Sequence, residues 1–379
     1  MHSYGVEPLQ GIRVIDFTQY LPGPFATQRL VNMGAEVIKL EGLSGDPARQ
    51  LGAVFKEASL VFEVNNQGKK SMAIDLKRKE GRELALRLIS QADVLIESFR
   101  PQVMHKLGLS YEDVKQVKPD IIYCSLTGYG QISSMAHLAS HDINYIALSG
   151  LLSQLRDSEG RPIHPTIQLA DLVGGIMSNE AILAALLKKE RTGEGSYIDL
   201  SLTEAMKSLM TTHCSIQEET GRRCGIPMID GAIISYHIYE TADQRYVSLG
   251  ALEYKFWRHF CQAVDREDWL DAHLTNADVD NPIYTGMLEL FKSRSLREWT
   301  QFGREIDCCL TPILEIDEVE WQDDVTGVSL DKDKAKWNHS NFNRKSPPEL
   351  GEQTEGILSS LLQLNKNEIT DLKNKGVVL

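Results

Sequence analysis

Three short stretches of this 379-residue chain carry side chains able to move protons. His141 stands beside Asp142 in the run Ser140-His141-Asp142-Ile143-Asn144-Tyr145. Asp171 comes directly ahead of Leu172, Ile176, Leu183 and Leu187, apolar residues at helical spacing. Glu253 precedes Tyr254-Lys255-Phe256-Trp257. An imidazole titrates at about 6.5 unaided, so it can take and give a proton around neutrality. An Asp carboxyl starts at about 3.9 and reaches that range only if burial raises it. Free N–H groups at a helix start pull the other way, because they favour the anion. Those same N–H groups suit a developing oxyanion. Each residue also has a plainer reading: a His held by its neighbouring Asp, an Asp capping a helix, a Glu in a solvated first turn. Residue types alone leave both readings open.

The elements around these residues alternate. Residues 12–17 and 36–40 read as short buried strands, with a Leu21-Pro22-Gly23-Pro24 turn and a helix over 25–33 between them. An amphipathic helix is predicted over 75–91, a strand over 93–97, a short helix opened by Pro101, and a strand over 121–126. A long helix over 172–187, a strand over 197–200 and a connecting helix over 202–219 follow. Strand–helix alternation of this kind predicts an α/β fold with a parallel sheet covered on both faces. No G-x-G-x-x-G follows the first strand, so a standard dinucleotide site is not expected. From residue 225 the texture changes. Residues 234–239 and 246–249 alternate as an antiparallel hairpin, and a helix over 253–264 comes next. Residues 331–348 are polar and contain Pro, and one last helix is expected over 354–364.

Composition narrows the class. The chain is 42% hydrophobic and 25% charged, which is ordinary for a folded protein. Its net charge of -13 argues against general nucleic-acid binding. Residues 1–110 nevertheless hold 14 Lys and Arg against 12 Asp and Glu, so the N-terminal third is the better place for an anionic small molecule. Six cysteines without a C-x-x-C pair speak against a disulfide scaffold or a structural zinc site and for a reducing compartment. Neither a secretory signal nor an apolar run of about 20 residues is read from the sequence, so a cytoplasmic protein with no membrane partner is expected.

Several runs are shared with a known group. They are Leu9-Gln10-Gly11-Ile12-Arg13-Val14-Ile15-Asp16, Leu30-Val31-Asn32-Met33-Gly34-Ala35-Glu36-Val37-Ile38-Lys39, Ala92-Asp93-Val94-Leu95-Ile96-Glu97-Ser98-Phe99-Arg100-Pro101 and Leu350-Gly351-Glu352-Gln353-Thr354. With them the chain resembles the family III CoA-transferase superfamily of the CaiB/BaiF type. Three segments resemble its α-methylacyl-CoA racemase branch. The His141 run matches the racemase segment G-H-D-[IL]-N-Y, with Ser140 in place of the usual Gly. Asp171 matches a residue that is a base in racemases and a covalent nucleophile in transferases. Glu253 matches a Glu that orients the catalytic His, a role for which Asp142 competes.

The resemblance implies a large Rossmann-like CoA-binding domain over residues 1–200, completed by 340–379, and a linker helix over 201–224. It further implies a small α+β domain over 225–325, a return linker over 326–339, and an interlocked homodimer. It implies His141, Asp171 and Glu253 as catalytic residues. Arg49, Arg100 and Lys39 are the expected contacts for the CoA phosphates, and Asp142 and Tyr145 the expected contacts for the substrate. The reaction expected is epimerisation of a 2-methyl-branched acyl-CoA thioester through an enolate. The alternative is CoA transfer through an aspartyl-CoA thioester on Asp171. No cofactor beyond the substrate's own coenzyme A, and no metal, is expected.

Overall fold

A computed structural model describes residues 7–318 and 346–379, leaving aside 53, 56, 57 and 158. The expected return linker over 326–339 lies outside the described residues, as do 340–345. The chain divides into two compact units, residues 1–211 with 339–379 and residues 212–338.

The first unit is built on a six-stranded sheet. In chain order its main elements are β1 (Arg13–Asp16), α1 (Pro22–Asn32), β2 (Glu36–Glu41), β3 (Lys70–Ala73), α2 (Lys79–Ile89), β4 (Val94–Glu97) and β5 (Ile122–Thr127). These are followed by α3 (Asp142–Leu148), α4 (Leu169–Thr192), β6 (Ser196–Ser201) and α5 (Leu202–Ser208). The strand order is β3-β2-β1-β4-β5-β6, and every pairing is parallel. The mixed α/β class with a parallel sheet is therefore as the sequence predicts.

Alternation along the strands feeds two cores. Ile15, Ile38, Leu95 and Tyr123 pack with Leu84 and Leu88 of α2 on one face. Val14, Val37, Val94 and Ile122 pack with Leu30 of α1 and Ile182 of α4 on the other. Both faces being covered explains why the strands read as unbroken apolar runs.

The tail completes the first core. Two helices, α10 (Thr354–Ser360) and α11 (Lys366–Asn374), contribute Ile357, Leu358 and Ile369. The sequence reading expected one. The second helix is polar apart from Ile369 and Leu372, so its apolar stripe is faint, but Asn365 and Glu368 close a capping box at its start.

The long helix differs from expectation in two ways. It begins at Leu169, three residues earlier than predicted, which places Asp171 inside its first turn. By length and composition alone it is also apolar enough to cross a membrane, as the core helix of a folded unit can be. The sequence reading sought an unbroken apolar run and missed it, because isolated polar residues interrupt the stretch. In this unit the helix packs on α1. An added Cβ at Gly175 would stand 2.8 Å from the carbonyl of Pro22, and the Asn179 amide donates to the Ala26 carbonyl at 3.1 Å.

The second unit contains a three-stranded antiparallel sheet, formed by β7 (Tyr236–Glu240), β8 (Tyr246–Gly250) and β9 (Leu310–Pro312) in the order β9-β8-β7. The hairpin predicted from alternation is β7–β8. Helices α7 (Tyr254–Ala263), α8 (Pro282–Phe291) and α9 (Leu296–Glu305) pack with it around Trp257, Trp269 and Trp299. The indole N–H of Trp299 donates to the Phe291 carbonyl at 2.9 Å, so its burial leaves no unmet donor. The predicted connector over 202–219 is broken: α5 ends at Ser208, and a separate helix, α6, spans Thr211–Thr220.

Candidate active site

In the first unit the chain lays β2 and β3 on one side of β1, then returns to lay β4, β5 and β6 on the other. The loops leaving the carboxyl ends of β1 and β4 therefore diverge, and a crevice at such a reversal is where open parallel sheets take ligands. The Gln19 amide spans it, donating to Ser98 Oγ at 3.1 Å. Arg49 follows β2, Arg100 follows β4 and His141 follows β5, so all three stand at this edge of the sheet.

His141 is exposed at the start of α3, where its backbone N–H donates to Asn144 Oδ1 at 3.0 Å. The next residue, Asp142, reaches across to α4, and its Oδ1 accepts the backbone N–H of Asp171 at 3.0 Å. The Ala170 amide also bonds to that carboxylate. One side chain thus joins the starts of two helices and brings the His141 segment against Asp171. It also explains why α4 begins early: its cap comes from another element and not from its own sequence. The amides expected to be free for an oxyanion are occupied, which corrects that reading.

Asp171 is half-buried, and its carboxyl is pushed up to about 7, first by burial and then by the negative charge of Asp142. Burial therefore wins the opposition that the sequence left open. A carboxyl in this range exchanges protons near neutral pH.

Tyr145 is placed differently from expectation. It is buried among Leu126, Ile146, Ala170 and Leu202 rather than presented to a ligand. An added Cβ at Gly128 would stand 2.3 Å from its ring, so only glycine fits there. Ser140 Oγ donates to the Tyr145 hydroxyl at 2.9 Å, and the hydroxyl donates back to the Ser140 carbonyl at 3.2 Å. Tyr145 braces the His141 loop from below, and Ser140 provides the tie.

The three cations expected to meet phosphates have unequal surroundings. Lys39 is fully buried, paired with Asp46 at 2.8 Å and donating to the Thr18 carbonyl at 2.8 Å. Burial opposes its charge, but Asp16, Asp46 and Glu41 outweigh burial and hold it protonated. It is a core ion and presents no charge to a ligand, which corrects its assignment. Arg49 closes its fork on Glu41 at 2.7 and 2.8 Å and lies over the Phe62 ring at 3.9 Å. Arg100 is exposed and paired with no carboxylate among the described residues, so it alone of the three is electrostatically free for a phosphate.

Arg100 borders a cavity of about 460 Å³ that is also lined by Glu97, Ser125, Tyr111, Tyr123 and Tyr197. Glu97 was not singled out from sequence. Its carboxyl accepts from the Phe99 amide at 2.8 Å, and burial pushes it up to about 7. The signal available was a Glu closing the otherwise apolar strand Val94-Leu95-Ile96-Glu97. Glu253 belongs to the second unit, where it is exposed, precedes α7 and makes no side-chain cap bond. Among the described residues no cluster of three or more His, Cys, Asp or Glu is arranged to hold a metal ion.

Comparison with known proteins places this architecture. Succinyl-CoA:glutarate CoA-transferase of Mus musculus is 31% identical, over 98% of this chain and 91% of its own. Alpha-methylacyl-CoA racemase of Homo sapiens is 34% identical, over 83% of this chain and 80% of its own. Among solved structures, a CAIB/BAIF family protein from Brucella suis matches with a TM-score of 0.77 and 26% identity, covering 93% of this chain and 99% of that one. The model of CoA-transferase family III matches residues 9–354, nearly the whole chain and both units, and the protein belongs to that family.

Proposed function

We propose that this enzyme epimerises 2-methyl-branched acyl-CoA thioesters by transferring a proton from one face of a carbon to the other. The observation that carries the reading is the 3.0 Å bond from the Asp171 amide to Asp142, the neighbour of His141. It sets an imidazole and a carboxyl near 7 on adjoining helix starts. A carboxyl in that range can act as base or acid at neutral pH, and an imidazole is the kind of side chain suited to the partner role.

In the proposed reaction one of the two takes the hydrogen from the carbon beside the thioester. The C–H electron pair moves into an enolate, with the charge on the thioester oxygen. The other group then delivers its own proton to the opposite face, and the carbon returns to four bonds with inverted configuration. One group has gained a proton and the other has lost one, and exchange with water resets both. Arg100 is assigned to contact the CoA phosphates.

A second reading is supported by the match to a CoA-transferase over 98% of the chain. In it the Asp171 carboxylate attacks the thioester carbonyl, releases CoA thiolate and forms a mixed anhydride. The thiolate then attacks the Asp171 carbonyl of that anhydride, which expels the donor carboxylate and gives an aspartyl-CoA thioester; the acceptor carboxylate attacks this thioester, and the thiolate it releases takes the acceptor acyl group and frees the Asp171 carboxylate.

The test is incubation with a (2R)-2-methylacyl-CoA in deuterated water. Deuterium at the α-carbon without an acceptor acid, abolished in Asp171→Asn, is the expected result. Hydroxylamine-sensitive modification of Asp171 with no deuterium uptake would replace the first reading with the second.

A further inference from the structure

Two carboxyl groups meet at the start of α4, and only one of them receives its amides. Asp142 Oδ1 accepts the Asp171 N–H at 3.0 Å, and the Ala170 N–H bonds to the same side chain. Asp171 lies in the first turn of a 24-residue helix, a place where an acid is ordinarily stabilised as the anion by those amides and by the helix dipole. Here the amides are occupied from α3, and Asp171 has a like charge for a neighbour.

Resting on the proton-transfer reading, we propose that Asp142 is a positioning residue for Asp171: by occupying the first amides of α4 it fixes the Asp171 carboxyl in place while denying it the N–H groups that would lock it as an anion.

The surrounding groups agree. Asp142 faces Asp171 from α3, as does the Tyr145 phenol, which is pushed up by burial and by its own neighbours, Asp171 among them. Burial raises the Asp142 carboxyl above its ordinary value, while the Asp171 and Ala170 amides and then His164, in the segment before α4, favour its charged form. Among the described residues no Lys or Arg forms an ion pair with either carboxylate, since each cation near the sheet edge is engaged elsewhere or, as with Arg100, stands apart. Asp171 is accordingly raised to about 7, first by burial and then by Asp142. Burial raises both carboxyls, but Asp142 keeps two amide bonds that favour its anion and Asp171 has none, so Asp142 is the one to stay ionised and Asp171 the one to carry the proton.

The experiment is a carbon-13 carboxyl titration of the full chain, with the Asp171 signal assigned by its loss in Asp171→Asn. In Asp142→Asn the midpoint of Asp171 is expected to fall by about one pH unit or more, because the like charge is gone. In Asp142→Glu, which restores a charge, it is expected to return toward the wild-type value. Turnover of the acyl-CoA at pH 7 should drop about tenfold in Asp142→Asn with KM nearly unchanged, and the acid limb of its pH profile should move with the midpoint. If Asp142→Asn fails to fold, Asp142→Ser keeps an acceptor without a charge and carries the same expectation. An unmoved midpoint in a folded, uncharged variant overturns the proposal. A midpoint that moves in an enzyme taking up no α-deuterium would sink the epimerase reading and leave the positioning of Asp171 by Asp142 intact.

Discussion

Asp16 and Asp171 are both carboxyl groups drawn out of water in the same unit, and they come to opposite ends of the scale. Asp16 is wholly buried at the end of β1, which alone would raise it. Lys69 at 3.2 Å, then Lys39, Thr18 and Thr27, outweigh burial and bring it down to about 2. Asp171 is less buried, yet it rises to about 7: burial raises it first, Asp142 adds to the rise, and no cation opposes them. Depth therefore does not decide the charge state; the sign of the neighbours does. A network of buried charges that are all matched is a fixed object. A buried acid without a cation is a movable proton.

The contrast can be broken most violently at Lys69. Its ammonium contacts Asp16, Thr27 and Asn66 and the Pro24 carbonyl, all in the core. Lys69→Met strands Asp16 without its nearest cation and is expected to cost about 3–5 kcal/mol in denaturant unfolding. A loss below about 1 kcal/mol would mean that Lys39 suffices and that the network is redundant. Asp16 is depressed on folding, so its stabilisation is present above its unfolded value of about 3.9 and is lost as pH falls toward 2.

Asp171 should show the reverse sign. Its folded value lies above its unfolded one, so the folded state binds the extra proton between about 4 and 7. Stability from this group is present at low pH and lost as pH rises through 7. Asp171→Asn should therefore be more stable than wild type at pH 8, by on the order of 2 kcal/mol, and the gap should shrink as pH falls below 7 and close near pH 4. A gap independent of pH would remove the raised carboxyl from the account.

Glu97 sharpens the comparison at smaller scale. It is buried and raised to about 7 like Asp171, but it keeps hydrogen bonds from Phe99 and Ser125 that favour its charged form. Glu97→Gln should give the same sign of pH dependence with a gain at pH 8 on the order of 1 kcal/mol. A gain equal to that of Asp171→Asn would show that those two bonds contribute little.

The sequence showed the strands of the parallel sheet because their neighbours on both faces are apolar and the runs are therefore continuous. It showed His141 and Asp171 because each lies in a run resembling a known pattern. It did not show that Lys39 is interior, because a Lys within Glu36-Val37-Ile38-Lys39-Leu40 looks like any solvated strand residue. The Asp46 that neutralises it arrives from a separate loop. The role of Asp142 was hidden for the same reason: its partner amide is 29 positions away. Tyr145 stands four residues beyond His141 along the chain, a spacing that suggests a ligand contact, while its ring is held beneath by Gly128 and Ser140. What remained illegible in each case was a pairing made by the fold and not by adjacent residues.

The tail has a consequence for how the chain matures. Gln353 accepts from the Ser71 amide at 2.7 Å, Gly351 donates to Ser71 Oγ at 2.9 Å, and Val378 bridges Ile74. These contacts join residues about 280 or more positions apart, and Val377 and Val378 are themselves core residues. During synthesis the core on the α2 side of the sheet stays incomplete beside β3 until residue 378 has emerged. The intervening unit has every chance to fold first. Nascent chains stalled short of residue 350 should therefore depend on chaperones and be open to proteolysis at β3.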